Sequence, residues 1–199
     1  MSNFTSKFAS RKIGPKFSEV INQNVSTQQF KPYLYEDQIN FDQLRMYRLN
    51  RVIEQLQKND VGACILFDPI NIRYATDSRN MSLFTMHELV RFVFISAGGK
   101  VILFDYPKSE HLSKHLCTIN EIRSVVSWDF FSANNFVDKN AKQWAGMIQD
   151  LMKEQSPENN RLAIDVSDPV GIQTLLKQFN VELLNAQKFL ETARSIKSE

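Results

Sequence analysis

The sequence predicts an α/β fold with three layers (α/β/α), in which helices cover both faces of one mixed sheet of about five to six strands. Two apolar segments separated by a glycine-containing turn predict an antiparallel hairpin. Helical and strand-like segments then alternate, which is typical of parallel strands joined by helices. The 199 residues are 43% hydrophobic, which is enough for one well-filled core and too little for a second full domain.

The first helix is predicted from Phe41 to Gly62. Its apolar residues recur at helical spacing and are Leu49, Val52, Ile53 and Leu56. Asp60 and Gly62 are expected to end this helix, with Gly62 in a C-terminal cap or a tight turn. The apolar run from Ala63 to Phe67 follows and is predicted to be a short buried strand.

The hairpin is predicted in the segment "RFVFISAGGKVILF", residues 91–104. Its turn is expected at Ala97, Gly98 and Gly99, because glycine tolerates a positive φ. Residues 109–116 are predicted to be helical, with Ser109 and Ser113 as possible caps. The segment "IRSVVSW" then predicts a further strand.

A long amphipathic helix is predicted in "FVDKNAKQWAGMIQDLMKEQS". The residues expected on its buried face are Ala141, Trp144, Ala145, Ile148, Leu151 and Met152. "RLAIDV" is predicted to be a strand, and Asp168 with Pro169 then starts another helix that reaches Phe179. "VELLN" is the last predicted strand, and "AQKFLETARSIKSE" is expected to begin a helix or a linker.

Residues 1–40 differ in composition from the rest and are predicted to form an extended N-terminal arm. They are rich in Ser, Asn, Gln and Lys and show no sustained period of apolar residues. Phe30, Tyr33 and Tyr35 flank Pro32 and suit docking on a partner surface. A flexible terminus without a partner is the alternative interpretation.

Composition excludes several classes of function. Lys plus Arg total 24 and Asp plus Glu total 22, and no concentrated basic stripe is present, so nucleic-acid binding is not expected. Cys64 lies in an apolar run and is predicted to be buried, and Cys117 lies near a helix end, so a disulfide framework is not expected. The sequence shows neither a signal-peptide core nor the run of about 18 apolar residues that a membrane span needs. A cytoplasmic protein that does not enter membranes is therefore expected.

The usual catalytic and cofactor motifs do not occur in this sequence. His111 and His115 share a helix face, but the HExxH pattern of zinc proteases is missing, and a solvent-facing helix is the preferred interpretation. No G-x-S-x-G, P-loop or G-x-G-x-x-G motif occurs. Asp165 and Asp168 form an acidic pair, but Asp168 is explained as a helix N-cap. The sequence therefore predicts no self-sufficient active site.

The segment "DPINIRYATDSRN", from Asp68 to Asn80, is predicted to be a polar loop that begins with a turn at Asp68-Pro69. Ile72 and Ala75 are its expected apolar anchors. The cations within or near it are Arg73, Arg79, His87 and Arg91, interleaved with Tyr74, Phe84 and Phe92. Such a loop suits binding of a carboxylate or of a partner surface. An ordinary solvated connection between strands is the alternative.

The same segment resembles the "NIRYLTG"-type segment of the creatinase/prolidase N-terminal domain, with Asn71 to Thr76 at the matching positions. Asp77 departs from the glycine usual in that family. The ending "FLETARSIKSE" is similar to the family's R-x-I-K-S boundary before the catalytic domain, where Arg194, Ile196, Lys197 and Ser198 match. The resemblance spans residues 41–199 and implies a ribonuclease-H-like sheet. It predicts the domain at 41–189 and the start of a linker at 190–199.

The resemblance also implies a function. Enzymes of this family, the prolidases, Xaa-Pro aminopeptidases and creatinases, hold two divalent metals (Mn, Co or Zn) in a C-terminal catalytic domain. We therefore expect this chain to have no catalytic residue, metal ligand or cofactor, and to mediate homodimerisation next to its own catalytic domain. The residues expected to contact a small-molecule or peptide substrate of the partner subunit are Arg73, Tyr74, Arg79, Phe84, His87 and Arg91.

Three alternatives remain. The stretch from Asp68 to Phe94 also resembles the branch of the family that contains dimethylsulfoniopropionate lyases, so peptidase and lyase chemistry stay open. A free-standing binding module is the second alternative. A nuclease is the third and is disfavoured, because the strand "ACILF" lacks a central acidic residue and "RLAIDV" supplies only Asp165.

Overall fold

The computed structural model describes residues 39–197, which contain a single mixed sheet of six strands. In chain order the strands are β1 Ala63–Leu66, β2 Phe92–Ser96, β3 Val101–Asp105, β4 Glu121–Ser124, β5 Arg161–Ile164 and β6 Glu182–Asn185. Their spatial order is β4-β3-β2-β1-β5-β6, and only β2 runs antiparallel to its neighbours. The predicted mixed α/β sheet and its antiparallel hairpin are confirmed, with Gly99 at a φ of +92° in the turn.

Helices cover both faces of this sheet. They are α1 Phe41–Lys58, α2 Pro69–Thr76, α3 Ser82–His87, α4 Phe130–Ala133, α5 Val137–Gln155, α6 Pro169–Gln178 and α7 Gln187–Ser195, with 3-10 turns at Glu110–Leu112 and Asn134–Phe136. Alternate residues of β1 point to opposite faces, so that Cys64 packs with α1 and α7 while Ile65 packs with α5. The three predicted layers are therefore present.

The apolar stripes of the two long helices are confirmed. In α1, Leu49, Val52 and Leu56 are buried and Ile53 is half-buried against the same core. In α5, all six residues predicted to face the core are buried. The side chain of Asp168 accepts hydrogen bonds from the backbone N–H groups of Val170 and Gly171, as expected for the N-cap of α6.

The prediction of a polar loop at "DPINIRYAT" is wrong, because Pro69–Thr76 form helix α2. Asp68 is its N-cap, with a carboxylate oxygen 2.7 Å from the backbone nitrogen of Ile70, and Pro69 occupies the first helical position. Ile72 and Ala75 are fully buried and lie on one helix face. The Asp-Pro pair therefore starts α2 as it starts α6, and the loop begins only at Asp77, whose φ is 61°.

The helix predicted at residues 109–116 is reduced to one 3-10 turn at Glu110–Leu112. Leu116 is buried, whereas Leu112 is 40% exposed, so the i,i+4 apolar pair needed to hold a helix on the core is missing. Neither predicted serine cap forms: Ser109 makes no side-chain cap bond, and the Ser113 hydroxyl contacts Ser78 instead. His111 and His115 are both exposed.

The role predicted for Gly62 is also wrong in detail. The residue with a positive φ after α1 is Asp60, at 53°, and not Gly62. Gly62 instead allows close packing, because a Cβ atom there would lie 2.7 Å from the backbone oxygen of Asn159. The turn that follows α5 therefore approaches the start of β1 directly.

The end of the described chain is helix α7, Gln187–Ser195. Its residues Leu190 and Ala193 are fully buried against α1 and β1, so this helix contributes to the core. The arm predicted for residues 1–40 lies outside the described residues except for its last two, of which Asn40 caps α1 by accepting a hydrogen bond from the backbone of Gln43. Within residues 39–197, no helix combines the length and the hydropathy needed to cross a membrane.

Candidate functional site

The carboxyl ends of β1, β3 and β5 lie at the same edge of the sheet, because these three strands run in the same direction. Ligand sites of α/β proteins commonly lie at such an edge. Each strand here is followed or ended by an acidic residue, namely Asp68, Asp105 and Asp165. Helix α2 begins at this edge, and the segment 77–90 leads to the start of β2, which lies at the same edge. Functional side chains are therefore expected there.

Asp165 joins β5 to the start of α2. Its carboxylate accepts hydrogen bonds from the backbone nitrogens of Phe67 at 2.9 Å, Asp68 at 3.2 Å and Val166 at 2.7 Å. The side-chain amide of Asn71 donates a fourth bond at 3.0 Å. Burial raises the pKa of Asp165 even though these donors favour the charged form. All four of these hydrogen bonds come from groups of the domain itself, so the Asp165 carboxylate has a structural role.

Arg91 is buried and stabilises the segment after α2 through its contacts with Ser78 and Asp105. Its Nε atom lies 3.0 Å from Oδ2 of Asp105, and both side chains are 1% exposed. The Nε–H bond does not point at that oxygen, so the attraction is mainly between charges. Its Nη2 donates to the Ser78 hydroxyl, which also contacts the Ser113 hydroxyl at 2.5 Å. Asn80 donates to Oδ1 of Asp105 at 2.9 Å. Arg91 thus fixes residues 78–80.

The other predicted site residues occupy different environments. Tyr74 is half-buried against the core, and its hydroxyl donates to the backbone oxygen of Ala193 at 2.8 Å. Arg73 is exposed on α2, and Arg79 is exposed and lies 3.3 Å from a carboxylate oxygen of Asp77. His87 is exposed at the end of α3, with Nε2 3.5 Å from the carboxylate of Glu88. Among residues 39–197, the predicted site residues therefore lie in several separate environments.

Phe84 connects α3 to α4. Its ring centroid lies 6.1 Å from that of Phe131 on α4 and 6.3 Å from that of Tyr106. Glu88, Phe130, Phe131 and Asn134 surround an open cleft of about 520 Å³. Aromatic rings beside a carboxylate favour a cationic ligand over an anionic one.

The sequence reasoning missed Phe130 and Phe131, which are 75% and 77% exposed. The available signal was Asp129, a residue type common at N-caps, directly before two aromatic residues. Its carboxylate accepts a hydrogen bond from the backbone nitrogen of Ser132 at 2.8 Å and so starts α4. The four-residue helix α4 is too short to show an amphipathic period, so the sequence does not indicate that its apolar residues are exposed.

The described residues do not form a metal site. No cluster of three or more His, Cys, Asp or Glu side chains suitable for a metal ion occurs among residues 39–197. At the sheet edge, Asp165 is held by four N–H donors, Asp105 by Arg91 and Asn80, and Asp68 caps α2. These carboxylates are therefore engaged in the fold, and no reaction step is assigned to them; the resemblance implies that the family's two metals lie in a separate catalytic domain.

We expect Tyr106 to ionise late in an alkaline titration. Its hydroxyl oxygen is buried, and burial, assisted by the neighbouring Asp105 carboxylate, raises its pKa from 10.0 to about 12. The unfolded chain then loses this proton at lower pH than the folded chain, so this contribution to stability is intact below pH 10 and is lost as the pH rises toward 12. When phenolate absorbance is measured against pH, the curve of Tyr106→Phe should lack one late ionisation step that the wild type shows. A curve that changes only in its early part would contradict the assignment.

Comparison with known proteins places these features in a family. The sequence profile of the creatinase/prolidase N-terminal domain matches residues 48–196. A dimethylsulfoniopropionate lyase, DddP, of Roseovarius nubinhibens is 32% identical over 158 residues, which cover 79% of this chain and 35% of the lyase. The corresponding lyase of Roseobacter denitrificans is 31% identical over 154 residues, covering 77% of this chain and 34% of the lyase. The chain thus spans about a third of the length of these curated relatives.

Solved structures of peptidases share the fold. An Xaa-Pro aminopeptidase of Streptococcus pyogenes has a TM-score of 0.53 at 17% identity, over 76% of this chain and 98% of that chain. A dipeptidase of Pyrococcus horikoshii has a TM-score of 0.54 at 14% identity, over 76% of this chain and 37% of that chain. At such identities the likeness shows the fold alone.

Proposed function

Since the chain belongs to the creatinase/prolidase N-terminal domain family, we propose that it is the non-catalytic N-terminal domain of a larger cytoplasmic enzyme whose metals lie outside this chain. The proposed parent enzyme is a member of this family that uses two divalent metals, either an Xaa-Pro peptidase or creatinase-like hydrolase or, as argued below, a lyase. In this proposal the domain mediates homodimerisation and borders the active site of the partner subunit. The engaged state of Asp68, Asp105 and Asp165 supports a role that does not include metal-dependent chemistry.

The observation that carries this proposal is an exposed apolar surface, which we name the apolar rim and define as Leu83, Met86, Phe130 and Phe131. Leu83 is 86% exposed, and Met86, one helical turn later on α3, is 59% exposed. The contact between Phe84 and Phe131 joins α3 to α4, so the four side chains belong to one region. Exposed apolar clusters of this kind mark interaction surfaces. A second copy of the chain is the partner that homodimerisation implies.

The predicted substrate-contacting residues have distinct roles in this proposal. Arg73, Arg79 and His87 are exposed on α2, α3 and the loop between them, where they suit contact with a substrate held by the partner subunit. Phe84 is half-buried beside Phe131 and would contribute to such a contact with one side of its ring. Arg91 and Tyr74 are engaged inside the domain and support those elements. The exposed guanidinium groups of Arg73 and Arg79 suit a substrate carboxylate.

Association through the apolar rim is tested with Leu83→Ser and Phe130→Ser. Both residues are more than 70% exposed, so the folded monomer tolerates the changes. We expect each variant to weaken the wild-type dimer roughly tenfold or more in sedimentation equilibrium, because an apolar anchor at an interface contributes about 1–2 kcal/mol. The matched control is Leu176→Ser on α6, where the leucine is 51% exposed outside the rim.

Three results would contradict the proposal. The wild-type chain would remain a monomer at all concentrations, or the rim variants would associate as tightly as Leu176→Ser. The third is appreciable hydrolysis of an Xaa-Pro dipeptide by the chain itself with manganese or cobalt, which would contradict the non-catalytic role.

The alternative is that the parent enzyme is a lyase for a sulfonium compound. The identity of 31–32% with two dimethylsulfoniopropionate lyases favours it over the peptidases, whose likeness extends to the fold only. The cleft formed by Glu88, Phe130, Phe131 and Asn134 also suits a methylated cation. An assay of the full-length enzyme with an Xaa-Pro dipeptide and with dimethylsulfoniopropionate separates the two candidates.

A further inference from the structure

We infer that Asn71 is a positioning residue that fixes helix α7 and, with it, the direction in which the chain leaves the domain at Ile196. It acts with three other side chains, and we name the group Asn71, Tyr74, Asp165 and Arg194 the α7 clamp. The contacts of the clamp are independent of any activity of the chain. Its consequence for a domain that follows rests on the proposed function.

The amide of Asn71 is shared between β5 and α7. Asn71 is fully buried, and its Nδ2 donates to Oδ2 of Asp165 at 3.0 Å. Its Oδ1 accepts a hydrogen bond from Nη1 of Arg194 at 3.1 Å, near the end of α7. The same Nδ2 lies 3.4 Å from Oε1 of Gln187, the first residue of α7. A single buried amide therefore contacts the sheet edge and both ends of the helix.

Tyr74 adds a second contact one helical turn further along α2. Its hydroxyl donates to the backbone oxygen of Ala193 at 2.8 Å. The last carbonyl groups of a helix lack partners within the helix, so this hydroxyl serves as a cap supplied from another element. On α7 itself, the carboxylate of Glu191 lies 3.4 Å from Nη1 of Arg194. The guanidinium group is thereby held against Asn71.

These contacts are directional, whereas the apolar packing of α7 is not. The nine-residue helix is too short to be stable alone in water and depends on packing. Phe189, Leu190 and Ala193 attach its apolar face to the core, but burial of apolar surface does not by itself specify register or tilt. Hydrogen bonds require a narrow range of distance and angle. The clamp therefore determines the orientation that packing alone leaves adjustable.

The clamp joins the two segments in which the resemblance to the family lies. Asn71 and Tyr74 lie in "NIRYAT", and Arg194 lies in "ARSIKS", 123 positions away from Asn71. The first segment holds the second in place. In the proposed enzyme, this joint would set the position of the domain that follows relative to the apolar rim.

The inference is tested by measuring the distance between spin labels on the full 199-residue chain. Cys117 is exposed and Cys64 is buried, so a label can be placed on Cys117 and on Ile196→Cys, where the native isoleucine is 53% exposed. The labelled chain is diluted with unlabelled chain, so that distances between subunits do not contribute. We expect one narrow distance distribution with the native clamp and a clearly broader one in Asn71→Leu.

Amide hydrogen exchange supplies a second measurement on the same variants. In Asn71→Leu, the backbone amides of α7 should exchange roughly tenfold or more faster than in the wild type, because the variant loses hydrogen bonds to the charged side chains of Asp165 and Arg194. The amides of β1 and β5 should keep their protection. Tyr74→Phe removes only a hydroxyl and should give a smaller change in the same helix, which keeps the test valid if Asn71→Leu does not fold. Arg73→Ala, at an exposed neighbouring position on α2, is the matched control.

Two outcomes would overturn the inference. The distance distribution would stay as narrow in Asn71→Leu and Tyr74→Phe as in Arg73→Ala, or exchange would accelerate equally in α7 and in the strands. The second outcome would mean that Asn71 stabilises the domain generally and does not position α7. Neither result depends on whether the apolar rim forms a dimer, so the two proposals fail separately.

Discussion

Arg91→Met is expected to lower the free energy of unfolding by about 3–5 kcal/mol, because it leaves the buried Asp105 carboxylate without its opposite charge. Both side chains are 1% exposed, and Nε of Arg91 lies 3.0 Å from Oδ2 of Asp105. Asn80 and the backbone nitrogen of Tyr106 donate to Oδ1 at 2.9 and 2.8 Å, but neutral donors do not replace the guanidinium charge. Ser78 also loses its bond to Nη2.

The effect of Arg91→Met is measured by urea unfolding followed by circular dichroism. Arg79→Met is the matched control, since Arg79 is an exposed arginine of the same segment and should change stability by about 0.5 kcal/mol or less. The double variant Arg91→Met/Asp105→Leu should recover part of the loss, because replacing a buried ion pair by apolar residues is often nearly neutral. Equal stability of Arg91→Met and Arg79→Met would refute the structural role of the pair.

Trp144→Ala is expected to cost about 3–5 kcal/mol, the range for truncating a large buried aromatic residue. Trp144 is fully buried in the core between the sheet and α5. Its ring centroid lies 4.4 Å from that of Trp128 and 6.3 and 6.5 Å from those of Phe67 and Phe92. The cavity left by alanine would be bordered by rings from three separate segments of the chain, which limits its collapse.

Trp144→Phe should be much milder, at about 1.5 kcal/mol or less. The indole Nε1 of Trp144 is buried and has no hydrogen-bond partner among residues 39–197. Phenylalanine removes this unsatisfied donor along with part of the apolar area, so the two effects oppose each other. Met147→Ala, at a half-buried position on the same helix, is the control for loss of helix packing. Thermal unfolding of the three variants checks the order, and a phenylalanine variant as unstable as Trp144→Ala would contradict it.

Much of the fold was predictable because apolar residues repeat with the period of their element. The buried face of α5 and the hairpin of β2 and β3 agree with the sequence pattern, since both have enough residues to display a period. Helix α2 is not predicted from the sequence, because the polar residues Arg73, Tyr74 and Asp77 favour a loop there. The N-cap signal at Asp68-Pro69 was present and equals the one recognised at Asp168-Pro169.

Less of the candidate site was predictable. The sequence predicts Arg91, together with Arg73, Arg79 and His87, as a cation available to a substrate, because nearby charges in a sequence do not reveal which of them is buried. The structure buries Arg91 by bringing Asp105 to it. The exposure of Phe130 and Phe131 is not predictable for the opposite reason, since aromatic residues are expected in a core.

The sequence by itself determined the layers, the strands and the family, because these depend on local period and on short motifs. Only the tertiary structure decided which polar side chains serve a site and which serve the fold. Asn71 meets Asp165 across 94 positions and Arg194 across 123, and no local pattern contains such pairs. A buried polar group is stable only with partners, so its role is set by what the fold places beside it.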